Sequence, residues 1–244
     1  MTGSVTALSE TTDVFSAAQD AGSAAMFVCR RRQGLARESR AAASASVLEM
    51  LSVLDAEGWV LSVGSMFGRD EPPSAYATGF AHDVDVVGVF EAPSLTAALV
   101  GTTRLGEAGW DTLFSTEWLL GPREFAPVSS GASRTAAHPW GFLALWEWND
   151  AWQAATPAER REYDVDCDVA FAADVAAGID IAGRHRLVAS SRWHHLGVWE
   201  SPSFAAVDAA MREHDRVADF KFTTSRHYLG RRQDLAELLE SPHV

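Results

Sequence analysis

The sequence predicts an α+β protein made of two tandem ferredoxin-like (βαββαβ) units whose sheets join into a barrel of the dimeric α+β type. Three observations predict it. One passage occurs twice: Val86–Arg123 overlays His195–Arg232 without a gap, at an offset of 109 residues, with nine of 38 columns identical. Average composition gives roughly two or three such identities by chance, so the passage marks a duplicated unit. Each copy reads as strand, Pro-Ser helix start, amphipathic helix and closing strand, the second half of a split βαββαβ pattern. Between the copies lies Pro127–His138, small and polar and without periodicity, which reads as a linker. The identical columns are Gly88/Gly197, Val89/Val198, Glu91/Glu200, Pro93/Pro202, Ser94/Ser203, Ala97/Ala206, Leu120/Leu229, Gly121/Gly230 and Arg123/Arg232.

The elements follow in order. Ala24–Arg31 is a short apolar run ending in charge, a first strand. Ser46–Gly58 carries Val47, Met50, Leu51 and Leu54 at helical spacing, with Gly58 as the stop. Trp59–Met66 alternates as a strand, and Arg69–Ser74 is a turn-rich excursion. Val84–Glu91 is the next strand, Pro93 starts a helix, and the closing strand falls at Thr112–Leu120. In the second unit Trp140–Trp148 is an aromatic strand. Thr156-Pro157-Ala158-Glu159 is a capping box opening a helix that Gly178 ends. Arg184–Ser191 and Trp193–Trp199 form a hairpin, Ser201-Pro202 caps the last helix, and Thr223–Leu229 closes the sheet. The division is an arm over 1–23, a first unit over 24–126, a linker over 127–139, a second unit over 140–232 with a ligand cavity, and a tail over 233–244.

Composition narrows the function. A net charge of −13 argues against nucleic-acid and anionic-membrane binding, which need positive potential. Two cysteines, Cys29 and Cys167, are too few for a disulfide scaffold or a thiolate zinc site. No run is long enough to span a membrane and the first residues lack a signal-peptide pattern, so the expected location is the cytoplasm.

Candidate chemistry is spread thinly. His214 lies on the apolar stripe of the last helix with Phe204, Val207 and Met211, as a core histidine or as a ligand facing a cavity. Cys167 sits alone on its helix, where packing is the commoner role. His185, His194, His195 and His227 fall on strands. Alternation puts Arg184 and Arg186 on one face and His185 on the other. Trp146 and Trp148 share a strand face, as core or as an aromatic wall for a planar ligand. Asp164, Asp166 and Asp168, spaced by two, fan around their helix and form no carboxylate face.

The stretch Pro157-Ala158-Glu159-Arg160-Arg161-Glu162, the hairpin running to Trp199-Glu200, the terminal Leu229-Gly230-Arg231-Arg232 and the turn Gly121-Pro122-Arg123-Glu124-Phe125 resemble the chlorite dismutase superfamily, which includes the coproheme decarboxylases. The resemblance covers roughly residues 24 to 232. It implies a tandem ferredoxin-like barrel, often in a homo-pentameric ring, with haem or coprohaem held in the C-terminal unit. The family's iron-binding His maps onto Asp168, or onto Cys167 with a one-residue gap, and its Glu partner onto Arg216. An Asp168/Arg216 ion pair would stand in their place. The decarboxylases' strand Tyr has no counterpart in Phe142–Trp148, and their relatives' distal Arg maps onto Arg184 or Arg186.

The leading expectation is therefore haem redox chemistry on a small molecule beneath Arg184, Arg186 and His185. His214 (as metal ligand) or Cys167 would be the axial donor, with Asp168, Arg216 and Trp146 lining the cofactor. Two other readings stand beside it. One is a haem-free cavity enzyme in which Asp168/Arg216 and a histidine do acid–base work on an organic metabolite. The other is a non-catalytic porphyrin or metabolite binder. A homo-oligomer is expected in each case, with a pentamer as the form that the resemblance implies.

Overall fold

The computed structural model describes residues 22–79, 81–130, 138–217 and 219–241. Most of the expected arm and linker, 1–21 and 131–137, lies outside the described residues. The strands are β1 (Ser23–Arg31), β2 (Ser74–Ala77), β3 (Val86–Ala92), β4 (Phe114–Pro122), β5 (Trp140–Trp148), β6 (Asp180–Arg186), β7 (His195–Ser201) and β8 (Thr223–Asp234). The helices are α1 (Arg37–Ala56), α2 (Val63–Met66), α3 (Leu95–Leu105), α4 (Asp111–Leu113), α5 (Asp150–Ala154), α6 (Pro157–Ala176), α7 (Phe204–Arg216), α8 (Asp219–Phe222) and α9 (Leu235–Glu240), with a wide turn over Gly106–Trp110. Among the described residues no helix is long and apolar enough to cross a membrane.

All eight strands form one sheet in the order β4-β1-β3-β2-β8-β5-β7-β6. The first four repeat the pattern of the last four, so each half is a ferredoxin-like unit and the duplication is real in space. Two seams join the halves. At one, β2 pairs with β8 from Ser74↔Asp234 to Ala77↔Arg231. At the other, β4 meets β6 through an Arg123↔His185 bridge, and the Glu124 N–H donates to the Arg184 carbonyl at 2.7 Å. The sheet thereby closes on itself, which removes exposed strand edges. Repeated residues sit at both seams. A Cβ on Gly121 would stand 1.9 Å from the Arg186 carbonyl oxygen, and one on Gly230 would stand 2.7 Å from the Tyr76 side chain. Only glycine permits either approach.

Alternation along the strands fills two layers. Met26, Val87, Val89, Leu143, Val198 and Tyr228 point into the barrel. Phe27, Phe90, Leu51, Leu105 and Trp110 pack the first sheet against α1 and α3. The matching layer of the second half is smaller, with Phe142, Ile181, Trp199 and Val207, and it is here that a cavity opens.

One end of the barrel interior is ionic. Arg69 reaches Glu71 at 2.8 Å, Asp180 at 3.0 Å and Glu200. Arg232 adds Glu71 at 2.6 Å, and the Tyr76 hydroxyl donates to Glu200 at 2.6 Å. The repeat shows again: Arg123 pairs with Glu91 as Arg232 stands 3.9 Å from Glu200.

Several sequence expectations are corrected. Trp59–Met66 is not a strand. Ser62 accepts from the Ser65 N–H at 3.0 Å and caps α2, Val60 makes only an isolated bridge, and the strand is Ser74–Ala77. Pro93 and Pro202 stand just before the N-caps, which are Ser94 and Ser203. The hairpin strands shift because a bulge interrupts β6 between Ile181 and Arg184, at Gly183 with φ 106°. Of the expected tail over 233–244, the residues 233–240 instead complete β8 and form α9, whose Leu235, Leu238 and Leu239 are fully buried in the first unit's core, and 242–244 lie outside the described residues. The capping box is as expected: Thr156 and Glu159 bond each other's backbone N–H at 3.2 and 2.8 Å. Thr156→Ala should cost about 1 kcal/mol of stability in chemical denaturation without altering the native spectrum.

Candidate functional site

The cavity, of about 470 Å³, lies between the second half's sheet and helices α6 and α7, within the range of small-molecule sites. Its apolar wall is aromatic. Phe171 stacks on Trp199 at 6.1 Å and 11°, and Phe142 meets Trp199 at 5.8 Å. Trp146 also lines it.

The polar wall is a hydrogen-bonded chain. The Tyr163 hydroxyl donates to Asp219, His214 Nδ1 lies 3.2 Å from Asp219, and His214 Nε2 lies 3.1 Å from Asp174. Burial works against the charge on His214, but its bonds to Asp174 and Asp219 outweigh that and raise its pKa to about 9. It is an imidazolium at neutral pH. Burial, reinforced by Asp219, holds the Tyr163 phenol protonated, well above its ordinary value. Asp174 is 2% exposed, and its second oxygen, Oδ1, has no partner among the described residues.

The other expected residues are divided. Arg184 lines the cavity, bonds Glu124 at 2.8 Å and stacks on Phe125 at 4.1 Å. Arg186 is exposed and does not line the cavity, and His185 points into the barrel, so the expected Arg184, Arg186 and His185 group is not assembled. Burial and then Arg123 push His185 down to about 3, and neither ring nitrogen has a hydrogen-bond partner among the described residues. The Asp168/Arg216 pair does not form either. Arg216, three residues beyond Glu213 on the exposed side of α7, takes that carboxylate at 2.6 Å, while Asp168 faces the cavity. Nor do the three aspartates simply fan out: Asp164 and Asp168, one turn apart, share the cavity wall. Burial raises both, and Asp164 raises Asp168 further.

Sequence reading missed Tyr163, Asp174 and Asp219. The 109-residue offset held a signal for the last. Buried or packed Leu105, Trp110, Phe114 and Trp118 of the first half correspond to His214, Asp219, Thr223 and His227. All four of the latter line the cavity. Where one copy is filled with apolar side chains, the other carries polar ones around a space.

A haem does not fit this donor set. An iron-bound imidazole needs a free, neutral nitrogen, and both nitrogens of His214 are held by carboxylates. Burial and then Asp219 push the Cys167 thiol up to about 12, so a thiolate there would stand among carboxylates that oppose it. His227, held neutral by burial, is packed between Phe142 at 5.0 Å and Phe220 at 5.8 Å. A porphyrin's own carboxylates would meet Asp164, Asp168, Asp174 and Asp219, with Arg184 already bound to Glu124. Among the described residues no cluster of three His, Cys, Asp or Glu could hold a metal ion.

No family model matches this chain, and no curated protein does. Solved structures do. A variant chlorite dismutase from Candidatus Nitrospira defluvii is similar at a TM-score of 0.71 and 12% identity, over 94% of this chain and 98% of that one. The same organism's enzyme in complex with imidazole gives 0.70 and 13%, over 91% and 95%. A protein described as a putative chlorite dismutase gives 0.65 and 11%, over 89% and 97%. With the doubled β4-β1-β3-β2 order and the closed barrel, these likenesses identify the chain as one with the chlorite dismutase-like fold.

Proposed function

We propose that this chain is a haem-free member of its fold, which binds a small, largely apolar organic molecule in the C-terminal cavity and moves a proton on and off it. Of the three readings that the sequence left open, the position of His214 favours this one over haem redox chemistry. Its imidazolium, held between Asp174 and Asp219, is committed to a proton-holding chain and has no lone pair for iron.

The chemistry follows from the atoms. Asp174 Oδ2 is bound to His214, and Asp174 lines the cavity with Oδ1 unpaired among the described residues. An acidic N–H, O–H or activated C–H placed there passes its proton to Oδ1, and the same oxygen returns it at another atom of the substrate. Protons and electrons balance within one molecule, so no co-reactant is required. The aromatic wall excludes water and strengthens each charge interaction. His214, tied to Asp219 and through it to Tyr163, holds the Asp174 carboxylate in place.

The test is an ultraviolet–visible titration of the purified protein with haem and coprohaem. The expected result is free-haem absorption throughout, with no saturating Soret shift. A shifted Soret band saturating at one equivalent per chain, and lost in the Cys167→Ala or His227→Ala variant, overturns the reading in favour of a haem protein.

A further inference from the structure

Two residues that line the cavity each carry a buried polar atom without a partner among the described residues: the acceptor Asp174 Oδ1 and the donor Trp199 Nε1–H. Their side chains are 2% and 8% exposed, so bulk water does not serve them freely. Buried polar groups in native proteins are otherwise paired, and an orphan on a cavity wall points to what the cavity takes. Phe171 connects the two positions, stacking on Trp199 and meeting His214 edge-on at 5.1 Å.

Charge adds an independent constraint. The wall carries four carboxylates, Asp164, Asp168, Asp174 and Asp219, against two cations, Arg184 and the His214 imidazolium. Arg184 is turned to Glu124 and His214 is held by two of the four. The remaining field favours a positive ligand. Trp146, Trp199 and Phe171 offer ring faces, which attract cations as well as apolar bodies.

We infer that the cavity's ligand is an arylalkylamine, whose ammonium group donates to Asp174 Oδ1 while an acceptor oxygen elsewhere on it receives the Trp199 indole N–H. The inference rests on the haem-free reading of the cavity and adds the substrate class. An anionic aromatic of the same shape is rejected by the carboxylates, and a neutral one leaves Asp174 unpaired.

The experiment is isothermal titration calorimetry of the full chain with probes matched in shape. Tryptamine, 3-ethylindole and indole-3-propionate differ chiefly in charge, and 5-hydroxytryptamine adds an oxygen to the first. Tryptamine should bind at least ten-fold tighter than 3-ethylindole, with indole-3-propionate not binding, and 5-hydroxytryptamine should gain several-fold over tryptamine. Asp174→Asn should erase the preference for the amine over 3-ethylindole. Trp199→Phe should erase only the gain from the hydroxyl. Equal binding of the amine and its neutral isostere overturns the inference yet leaves the haem-free cavity standing. Failure of every probe, together with a saturating Soret shift on adding haem, overturns both. Should Asp174→Asn not fold, the comparison of probes on the natural chain still decides.

Discussion

Between pH 6.5 and pH 9 the protein should lose on the order of 3 kcal/mol of stability, and His214→Phe should lose that dependence together with about 3–5 kcal/mol at neutral pH. The sign follows from the direction of the shift. The folded pKa of His214 is raised from 6.5 to about 9, so its stabilising proton is fully in place below 6.5 and is lost as pH rises through about 9. Asp174 and Asp219 face it directly, Glu213 lies beside it on the same helix, and neutral His227 faces it from β8. His185 acts in the opposite direction. Its folded pKa is depressed to about 3, so its contribution is present above 6.5 and fades as pH falls towards that value. Stability should therefore peak near 6.5. In His214→Phe two carboxylates, one of them 2% exposed, confront each other without a cation. Urea denaturation at pH 6, 7.5 and 9 reads both effects. A natural chain equally stable at all three would show that no imidazolium is held there.

Arg69→Met should be equally damaging, at about 3–5 kcal/mol, although Arg69 does not line the aromatic cavity. The guanidinium is the common partner of Glu71, Asp180 and Glu200, and the side chains of the last two are fully buried. Without it Glu200 keeps the Tyr76 hydroxyl and Arg232 at 3.9 Å, too little for an ionised carboxylate whose pKa burial already raises. Arg69→Lys should recover little, since one ammonium cannot present the planar fork that serves three carboxylates. Adding Asp180→Asn and Glu200→Gln to Arg69→Met should restore most of the loss, because the cost lies in stranded charge and not in missing volume. Equilibrium unfolding of the three variants separates these cases. A loss below about 1 kcal/mol for Arg69→Met would show that water reaches this end of the barrel.

The repeat made the fold legible. Its identical columns are the ones geometry cannot spare: Gly121 and Gly230 at the two seams, Glu91 and Glu200 with Arg123 and Arg232 in the barrel, and Ser94 and Ser203 as caps. What alternation could not show was context. Trp59–Met66 has strand-like periodicity, but the Ser62 hydroxyl captures a helical turn there. The bulge at Gly183 shifted the register of β6, and a tail rich in leucine found its core in the other unit.

The site was legible residue by residue and not as a constellation. Trp146, Cys167, Asp168, Arg184 and His214 all line the cavity. Their roles depend on Tyr163, Asp174 and Asp219, which come from two helices 45 residues apart or more, and no local pattern announces such a chain. Arg216 was misplaced because a nearer carboxylate, Glu213, competes on its own helix.

The placement of α9 bears on how the chain is made. Leu235, Leu238 and Leu239 are fully buried beside Leu51 and Leu54 of α1, and the Ser44 hydroxyl donates to the Leu239 carbonyl at 3.0 Å. Strand β2 likewise finds its second neighbour only in residues 231–234. During synthesis on a ribosome the N-terminal unit, though translated first, waits for about 110 further residues, from 126 to 235, before its apolar layer can close. Nascent chains stalled before residue 235 should therefore remain sensitive to protease in both halves, and those released past residue 241 should become resistant in both together.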